Sequence, residues 1–261
     1  MTPEFEPSPP QPGDSYVQSF ARGLEVIRSF SADAPQQTLT QVAERSGLTR
    51  AGARRILLTL QTLGYVESDE RLFRLTARIL DLGFAYLSTM PIWNLAEPVM
   101  EALVEQVKES CSAAVLEQTD IVYVLRVPTH KIMRNTLGVG SRLPAHCTSL
   151  GRVLLAGLPD EALVTRLHAS DLRPLTRYTV TDFEALLAIV RQVRQQGWCL
   201  VDQELEEGLI SLAAPITNRA GRTIAAINIS GQANRTDAQQ ARDTLLPPLL
   251  ESARRISQML R

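Results

Sequence analysis

The pattern of apolar and polar positions predicts three helices in the first third of the chain. Apolar residues recur every three or four positions, as on a helix with one buried face. The recurring sets are Val17, Phe20, Leu24, Ile27 and Phe30, then Leu39, Val42 and Ala43, then Ala53, Ile56, Leu57 and Leu60. Thr38 and Gln41 have the spacing of a capping box, and Gly47 suits a tight turn before the third helix. The last two helices therefore predict a helix-turn-helix.

The third predicted helix carries an arginine-rich face. Winding it at about 100° per residue turns one set of side chains away from the apolar stripe, namely Ala51, Arg54, Arg55, Thr59 and Thr62, with Arg50 at the edge. Arginine binds phosphate and guanine, and short side chains let the backbone approach base edges. The predicted DNA contacts on this helix are Thr49, Arg50, Ala51, Gly52, Arg54 and Arg55. An ordinary helical hairpin with a solvated arginine face is the alternative.

The residues after this helix predict the wing of a winged helix. Residues 65–66 and the alternating residues 71–75 flank a polar turn, which indicates a two-stranded hairpin. Arg71 and Arg74 lie on it as further predicted DNA contacts. The whole chain has a net charge of -1, yet from Thr38 to Arg78 seven arginines oppose four acidic residues. This local basic surface favours DNA binding over the alternative.

The rest of the chain predicts a second domain of mixed structure. Helices are expected at 93–109, 148–157, 159–168, 182–196 and 237–260, and strands at 112–117, 121–127, 198–202, 211–217 and 222–230. Together with the first domain this predicts a two-domain α+β protein with an antiparallel sheet flanked by helices. The predicted division is a disordered tail at 1–15, a winged helix-turn-helix domain at 16–77, a linker helix region at 78–95 and a second domain at 96–261.

Residues 76–90 are apolar on nearly every side of the expected helix. Such a helix is unlikely to stand in water by itself. We predict that it packs partly against a second subunit. The alternative is a helix buried within its own chain.

Composition argues against several protein classes. Cys111, Cys147 and Cys199 are few, widely spaced and odd in number, which disfavours a disulfide scaffold and a structural zinc site. The chain has no apolar run of membrane-spanning length, and its N-terminus is proline-rich and acidic, unlike a signal peptide. We therefore predict a cytoplasmic protein without cofactor, metal or membrane association.

The motif that comes nearest to an enzyme site is residues 146–148, His-Cys-Thr. A cysteine nucleophile needs an adjacent base, but neighbouring side chains in an extended segment point to opposite faces. The sequence has no Gly-x-Ser-x-Gly, no phosphate-binding glycine loop and no dinucleotide fingerprint. We predict that the protein is not an enzyme.

A carboxylate-free interval separates Asp120 from Asp160. Its basic residues are Arg126, Lys131, Arg134, Arg142 and Arg152, with His130 and His146. A carboxylate ligand would find donors here without like-charge competition, so we predict that Arg134 or Arg126 binds one. The alternative is a basic surface patch that faces DNA or pairs with the acidic residues Glu204, Glu206 and Glu207.

The order of the parts and several segments carry a family resemblance. The segments are residues 19–27, 64–66, 139–156, 197–208 and 225–231. On these the chain, apart from its tail, resembles the IclR family of bacterial transcription regulators. Residues 127–129 and 143–153 are most similar to the subgroup that regulates protocatechuate, 4-hydroxybenzoate and β-ketoadipate catabolism. Ala51 and Gly52 depart from the hydroxyl pair that opens the recognition helix in many members.

The resemblance implies a GAF-like effector-binding domain, a homodimer or dimer of dimers, and a small organic acid as effector. The positions that match the family's pocket are Ser149, Leu150, Val201, Ser211, Asn228 and Ser230. Val201 and Ser211 replace Asp and Cys of some members. The implied function is a ligand-responsive regulator that binds operator DNA of a catabolic operon, here for aromatic-acid or β-ketoadipate genes. The alternative is a DNA-binding adaptor whose second domain only oligomerises or binds a protein partner.

Overall fold

The computed structural model describes residues 13, 16–69, 71–88, 92–129 and 137–260. The chain divides into two compact units, Met1–Ser88 and Thr89–Arg261, and the predicted α+β class is confirmed. The division falls inside the predicted linker region 78–95. The predicted disordered tail lies, apart from Gly13 at its end, outside the described residues.

The first unit has the predicted three helices and a small sheet. The helices are α1 (Gln18–Arg28), α2 (Leu39–Arg45) and α3 (Arg50–Thr62). The predicted hairpin is present as β2 (Val66–Ser68) and β3 (Leu72–Leu75), and a short strand that the pattern did not predict, β1 (Gln36–Thr38), pairs with β3. The sheet order is β1-β3-β2. Its core is formed mainly by Val26, Val42, Ala53, Leu57 and Val66.

Local sequence signals fix the position of α3. The Thr38 hydroxyl accepts a hydrogen bond from the Gln41 amide and the Gln41 side chain accepts one from the Thr38 amide, which confirms the capping box. Gly47 has φ +65°, so it takes the left-handed conformation that the turn requires. Thr49 is the N-cap of α3. These caps set where the exposed arginines begin.

The predicted linker helix begins with a short 3₁₀ turn (Ala77–Ile79) and continues as α4 (Leu80–Ser88). The next helix, α5 (Ile92–Val107), opens the second unit. Four apolar or aromatic side chains of α4 are exposed, namely Leu80, Leu82, Phe84 and Tyr86. This exposure favours the prediction of a linker helix that packs partly against a second subunit over the alternative of a helix buried within its own chain.

The second unit is built on a six-stranded antiparallel sheet of order β6-β5-β4-β9-β8-β7. The strands are β4 (Ser110–Glu117), β5 (Asp120–Val127), β6 (Arg142–Pro144), β7 (Cys199–Asp202), β8 (Leu209–Thr217) and β9 (Thr223–Gln232). All strand predictions in this unit are confirmed to within a few residues. The sequence pattern missed β6, because three residues that end in proline are too short to show an alternation.

Helices cover this sheet. They are α6 (Ser149–Ala156), α7 (Asp160–Ala169), α8 (Phe183–Gln196) and α9 (Ala238–Met259), close to their predicted positions. The short helix α6 contacts β4, β7, β8 and β9, and all eight of its residues are buried. Helices α5 and α9 pack against each other and against the sheet. No described helix is long and apolar enough to cross a lipid bilayer.

Candidate functional site

The outer face of α3 consists of the exposed residues Arg50, Ala51, Arg54, Arg55, Leu58, Thr59, Gln61 and Thr62. The opposite side of the helix is buried, with Ala53 and Leu57 fully enclosed and Leu60 nearly so. Among the described residues no carboxylate pairs with Arg50, Arg54 or Arg55. Three guanidinium groups are therefore available on one helix face, which suits phosphate and guanine.

Thr49 and Gly52 act together at the start of α3. The Thr49 hydroxyl accepts a hydrogen bond from the Gly52 amide at 3.1 Å. A Cβ atom on Gly52 would lie 3.2 Å from that hydroxyl oxygen, so the glycine leaves room for the cap. Gly52 was predicted to let the backbone approach base edges. It also has a structural role, because its lack of a side chain leaves room for the Thr49 cap. Contact of either residue with DNA stays a prediction.

The two predicted wing arginines differ. The Arg74 guanidinium donates to the Glu67 carboxylate at 2.6 Å across the hairpin, so its charge is already matched. Arg71 is exposed and has no ion pair within the described part of the chain. Arg78 lies over the Tyr65 ring, 5.5 Å from its centroid. Of the wing residues, Arg71 therefore offers the available positive charge.

In the second unit, four of the predicted effector residues form one hydrogen-bonded group, here called the serine–asparagine cluster: Ser149, Ser211, Asn228 and Ser230. The Ser149 and Ser211 hydroxyls lie 2.7 Å apart. The Asn228 amide donates to Ser211 at 3.0 Å and to Ser230 at 2.9 Å. The hydroxyl oxygens of Ser211 and Ser230 are 3.3 Å apart. Residues from α6, β8 and β9 thus meet, although up to 81 positions separate them in the sequence.

Strand register explains why the cluster shares one face of the sheet. Directly opposite residues in an antiparallel pair point to the same side. Ser211 is opposite Ser230 on β9 and opposite Val201 on β7, and Asn228 is opposite Ser112 on β4. The Ser112 amide also donates to the Asn228 side chain at 3.0 Å. Small residues therefore form the floor beneath α6.

Arg126 lies on the same face. It is opposite Ser112 across the β4–β5 pair, so β4 separates its strand from β9, the nearest strand of the cluster. Its side chain is half-buried and has no carboxylate partner among the residues that the structure describes. Burial raises the pKa of Tyr123, and the nearby Arg126 charge opposes that rise. Arg126 is thus a cation held beside a buried phenol and a hydroxyl-lined floor.

Two further predicted residues are apolar parts of this region. Leu150 and Val201 are both buried, and both belong to the hydrophobic cluster beneath α6 and α8. They can shape a pocket but cannot bind a charge through their side chains. Arg134, together with His130 and Lys131, lies outside the described residues, so its role stays a prediction.

The remaining arginines of the carboxylate-free interval are paired within the chain. Arg152 makes a bidentate ion pair with Glu204, with both N···O distances 2.6 Å, and donates to the His146 carbonyl oxygen at 2.7 Å. Its side chain is 3% exposed. Arg142 pairs with Asp120 at the surface. The alternative interpretation of the interval is therefore correct for Arg152, whose charge is used to hold α6 to the loop after β7.

The residues around Cys147 do not form a nucleophile site. Burial raises the pKa of the Cys147 thiol to about 11 and that of Cys199 to about 12, so neither is a thiolate at neutral pH. Burial and the Arg152 charge lower the pKa of His146. Within the described ranges no group of three or more His, Cys, Asp or Glu residues is arranged to hold a metal ion.

Sequence reasoning missed two residues of the sheet face beneath α6, Ser112 and Tyr123. Ser110 and Ser112 alternate with Cys111 and Ala113 along β4, so small polar residues with period two were the available signal. No comparable signal marked Tyr123, because an irregularity in the β4–β5 pairing changes the faces along β5.

Comparison with known proteins agrees with this arrangement. Residues 19–70 match the IclR helix-turn-helix domain, and residues 84–258 match the C-terminal domain of bacterial transcriptional regulator IclR. The chain is similar to the Pca regulon regulatory protein of Pseudomonas putida, with 42% identity over 94% of this chain and 84% of the relative. It is also similar to the p-hydroxybenzoate hydroxylase transcriptional activator of Acinetobacter baylyi, with 37% identity over 95% of this chain and 93% of the relative.

A solved structure has the same fold. An IclR homologue from Microbacterium hydrocarbonoxydans in complex with 4-hydroxybenzoate superposes with a TM-score of 0.82 at 27% identity, covering 93% of this chain and 99% of that one. Both units of the chain thus match one family in the same order. The family's members are DNA-binding transcription regulators rather than enzymes. The chain belongs to the IclR family of bacterial transcriptional regulators.

Proposed function

We propose that this regulator binds operator DNA through α3 and the wing, and that it responds to a small aromatic carboxylate held between Arg126 and the serine–asparagine cluster. The observation that carries the proposal is the sheet face beneath α6. There a half-buried arginine without a carboxylate partner among the described residues shares one surface with buried hydroxyl and amide groups.

The chemistry of this face matches a hydroxylated aromatic acid. A guanidinium binds a carboxylate through two parallel N–H···O bonds. Hydroxyl and amide groups accept and donate, so Ser149, Ser211 and Asn228 can orient a phenolic hydroxyl. The buried side chain of Leu150, on α6 above the sheet, suits the ring between these two ends. Val201, on β7, lies beside Ser211, so it can border only the hydroxyl end.

The spacing of the strands supports the same ligand class. Arg126 is on β5 and Ser211 on β8, three strands apart in the sheet and two residues out of register, so their backbones are about 16 Å apart. An extended arginine side chain spans about half of that distance. The remainder fits a benzoate whose ring hydroxyl lies opposite its carboxylate. The similarity to a p-hydroxybenzoate hydroxylase activator and to a homologue that binds 4-hydroxybenzoate points to the same compound class.

The operator should be double-stranded DNA with repeated half-sites, because we propose a homo-oligomer, either a dimer or a dimer of dimers. The support is the exposed apolar surface of α4, where Leu80 and Phe84 are each 69% exposed. Exposed apolar patches of this kind mark association surfaces. A DNA-binding role in turn favours the predicted cytoplasmic location.

Calorimetric titration of the full chain tests the effector assignment. We expect 4-hydroxybenzoate and 3,4-dihydroxybenzoate to bind, and 4-hydroxybenzyl alcohol, which lacks the carboxylate, to bind much more weakly. Arg126→Met should remove binding of the acids, whereas the matched variant Arg142→Met, at an arginine already paired with Asp120, should retain it.

If no aromatic acid nor β-ketoadipate bound the full chain while operator DNA still did, the sensor proposal would be wrong, and the adaptor alternative would replace it. If Arg126→Met bound 4-hydroxybenzoate as tightly as the wild type, the acid would be held elsewhere. Arg134 would then be the first variant to compare.

A further inference from the structure

The outer face of α3 contains one large apolar side chain among its arginines. Leu58 is 41% exposed, although it lies in the middle of a helix whose other leucines, Leu57 and Leu60, are buried. Leu58 is not among the residues that form the hydrophobic core of the first unit. Its exposure on the face that we assign to DNA therefore needs a separate explanation.

Helix geometry places Leu58 between the arginines. At about 100° per residue, Ala51 and Leu58 lie within about 20° of one another around the helix axis. Arg54 and Arg55 flank this line by about 50° on either side. The centre of the outer face is thus an apolar strip, and the positive charges lie along both of its edges.

The threonines beside this strip do not make it polar. The Thr59 hydroxyl donates to the Arg55 carbonyl oxygen, and the Thr62 hydroxyl donates to the Leu58 carbonyl oxygen, both at 2.9 Å. Each hydroxyl proton is therefore engaged within α3 itself. Neither Ala51 nor Leu58 has a hydrogen to donate to a base edge, so hydrogen-bond readout falls to the side chains that flank the strip, namely the arginines and the exposed Gln61.

In the major groove, one base carries an apolar group that such a strip can contact. Thymine has a C5 methyl group, which small and apolar side chains recognise, whereas guanine, cytosine and adenine offer only donors and acceptors there. The flanking arginines favour a polyanion over a protein as the occupant of this surface, since Arg50, Arg54 and Arg55 all carry unmatched charge among the described residues.

We propose that Leu58 reads a thymine methyl group in each operator half-site and so sets a thymine preference next to the bases that the arginines contact. The inference rests on the proposed binding of DNA through α3. Leu58 is then a specificity-determining residue, and its contact with DNA buries a leucine that water otherwise surrounds.

Replacement of thymine by deoxyuridine tests this directly, because it removes the methyl group and leaves every hydrogen-bonding group in place. An operator duplex is first selected from a random library with the full chain, and each thymine is then replaced in turn. We expect one position per half-site at which the replacement weakens binding by about fourfold, the effect of burying one methyl group.

Variants assign the effect to a residue. Leu58→Ala should weaken binding to the thymine duplex by a similar factor and should bind the thymine and deoxyuridine duplexes equally well. Leu63→Ala is the matched control, since Leu63 is 51% exposed but lies about 140° away around the axis. That variant should keep the full thymine preference. Circular dichroism should show both variants folded, because neither leucine is buried.

Each other outcome contradicts the proposal. If the wild type bound its operator with no sensitive thymine, the apolar strip would not read DNA, although the DNA-binding function would stand. If Leu58→Ala kept the fourfold thymine preference, another residue would read the methyl group. If the wild type selected no duplex at all, the proposed use of α3 would be wrong together with this inference.

Discussion

On α3, the residues that we propose to contact DNA are exposed and lie along a single helix, whereas Ser149, Ser211 and Asn228 are buried and come from three different elements. The exposed arginines make no ion pairs among the described residues. The buried polar groups are bonded to each other, because an unpaired polar group inside a protein is costly. The outer face of α3 can therefore bind a partner without breaking internal contacts. The serine–asparagine cluster must exchange its internal hydrogen bonds for bonds to a ligand.

This difference predicts different consequences of mutation. A substitution on the outer face of α3 should change DNA affinity and leave the free energy of unfolding nearly unchanged. A substitution in or near the serine–asparagine cluster should change both stability and ligand binding.

Arg152→Met should destabilise the second unit most. It leaves the Glu204 carboxylate buried without its partner, and removal of one member of a buried ion pair lowers the free energy of unfolding by about 3–5 kcal/mol. The matched variant is Arg142→Met, which removes the exposed pair with Asp120 and should cost about 0–1 kcal/mol. Urea denaturation measures both, and equal losses would contradict the assigned role of Arg152.

Arg54→Ala combined with Arg55→Ala should leave stability unchanged and weaken operator binding. Each lost phosphate contact should reduce the salt dependence, the slope of log K against log salt, by about 0.9, and a lost guanine contact should reduce discrimination by about 1–3 kcal/mol. Arg254→Ala, on the exposed surface of α9, is the control. Anisotropy titrations at several salt concentrations that gave the wild-type slope would show that α3 is not the recognition helix.

Asn228→Leu should lose ligand binding and part of the stability together. It removes the acceptor for the Ser112 amide and two donated bonds, which should lower the free energy of unfolding by about 1–3 kcal/mol. Ser230→Ala loses fewer bonds and should have a smaller effect on both measurements. A stable Asn228→Leu that still bound 4-hydroxybenzoate would place the effector elsewhere.

His146 should contribute a small pH dependence. Burial and then the Arg152 charge lower its pKa, against opposing effects of Glu204, Asp171 and the Arg173 backbone. The unfolded chain takes up a proton on this residue at higher pH than the folded chain, so its contribution is complete above pH about 6.5 and is lost as the pH falls below that value.

In His146→Gln, the stability difference between neutral and mildly acidic pH should therefore be smaller than in the wild type. Thermal unfolding at several pH values measures this difference. An unchanged difference would mean that His146 titrates alike in the folded and unfolded chain.

The outer face of α3 and the sheet face beneath α6 also differ in how far the sequence predicts them. The outer face of α3 follows from helical period alone, since Thr49 caps the helix and each later residue turns by a fixed angle. The caps at Thr38 and Thr49 were predictable because they depend on residues three positions apart. Leu58 was not predicted as a contact residue, because an apolar side chain in an amphipathic helix usually belongs to the buried face.

The sheet face beneath α6 depends on the register between distant strands. The spacing of apolar residues along the sequence does not contain that information. Tyr123 and Arg126 are three positions apart and would point to opposite faces of a regular strand. They share a face because the β4–β5 pairing shifts between Ala113 and Ala114. The pair of Arg152 with Glu204 joins residues 52 positions apart, so sequence could offer it only as an alternative. The cluster itself was identified by family resemblance rather than by pattern.

We propose that an aromatic acid bound at the sheet face beneath α6 changes how the outer face of α3 binds DNA. The direct test is to measure the affinity of the full chain for its operator with and without saturating 4-hydroxybenzoate, and the affinity for 4-hydroxybenzoate with and without operator. We expect both affinities to change by the same factor, as reciprocal coupling requires, and we expect Arg126→Met to abolish the change. If neither affinity depended on the presence of the other ligand, the two sites would not be coupled and the proposal would be wrong.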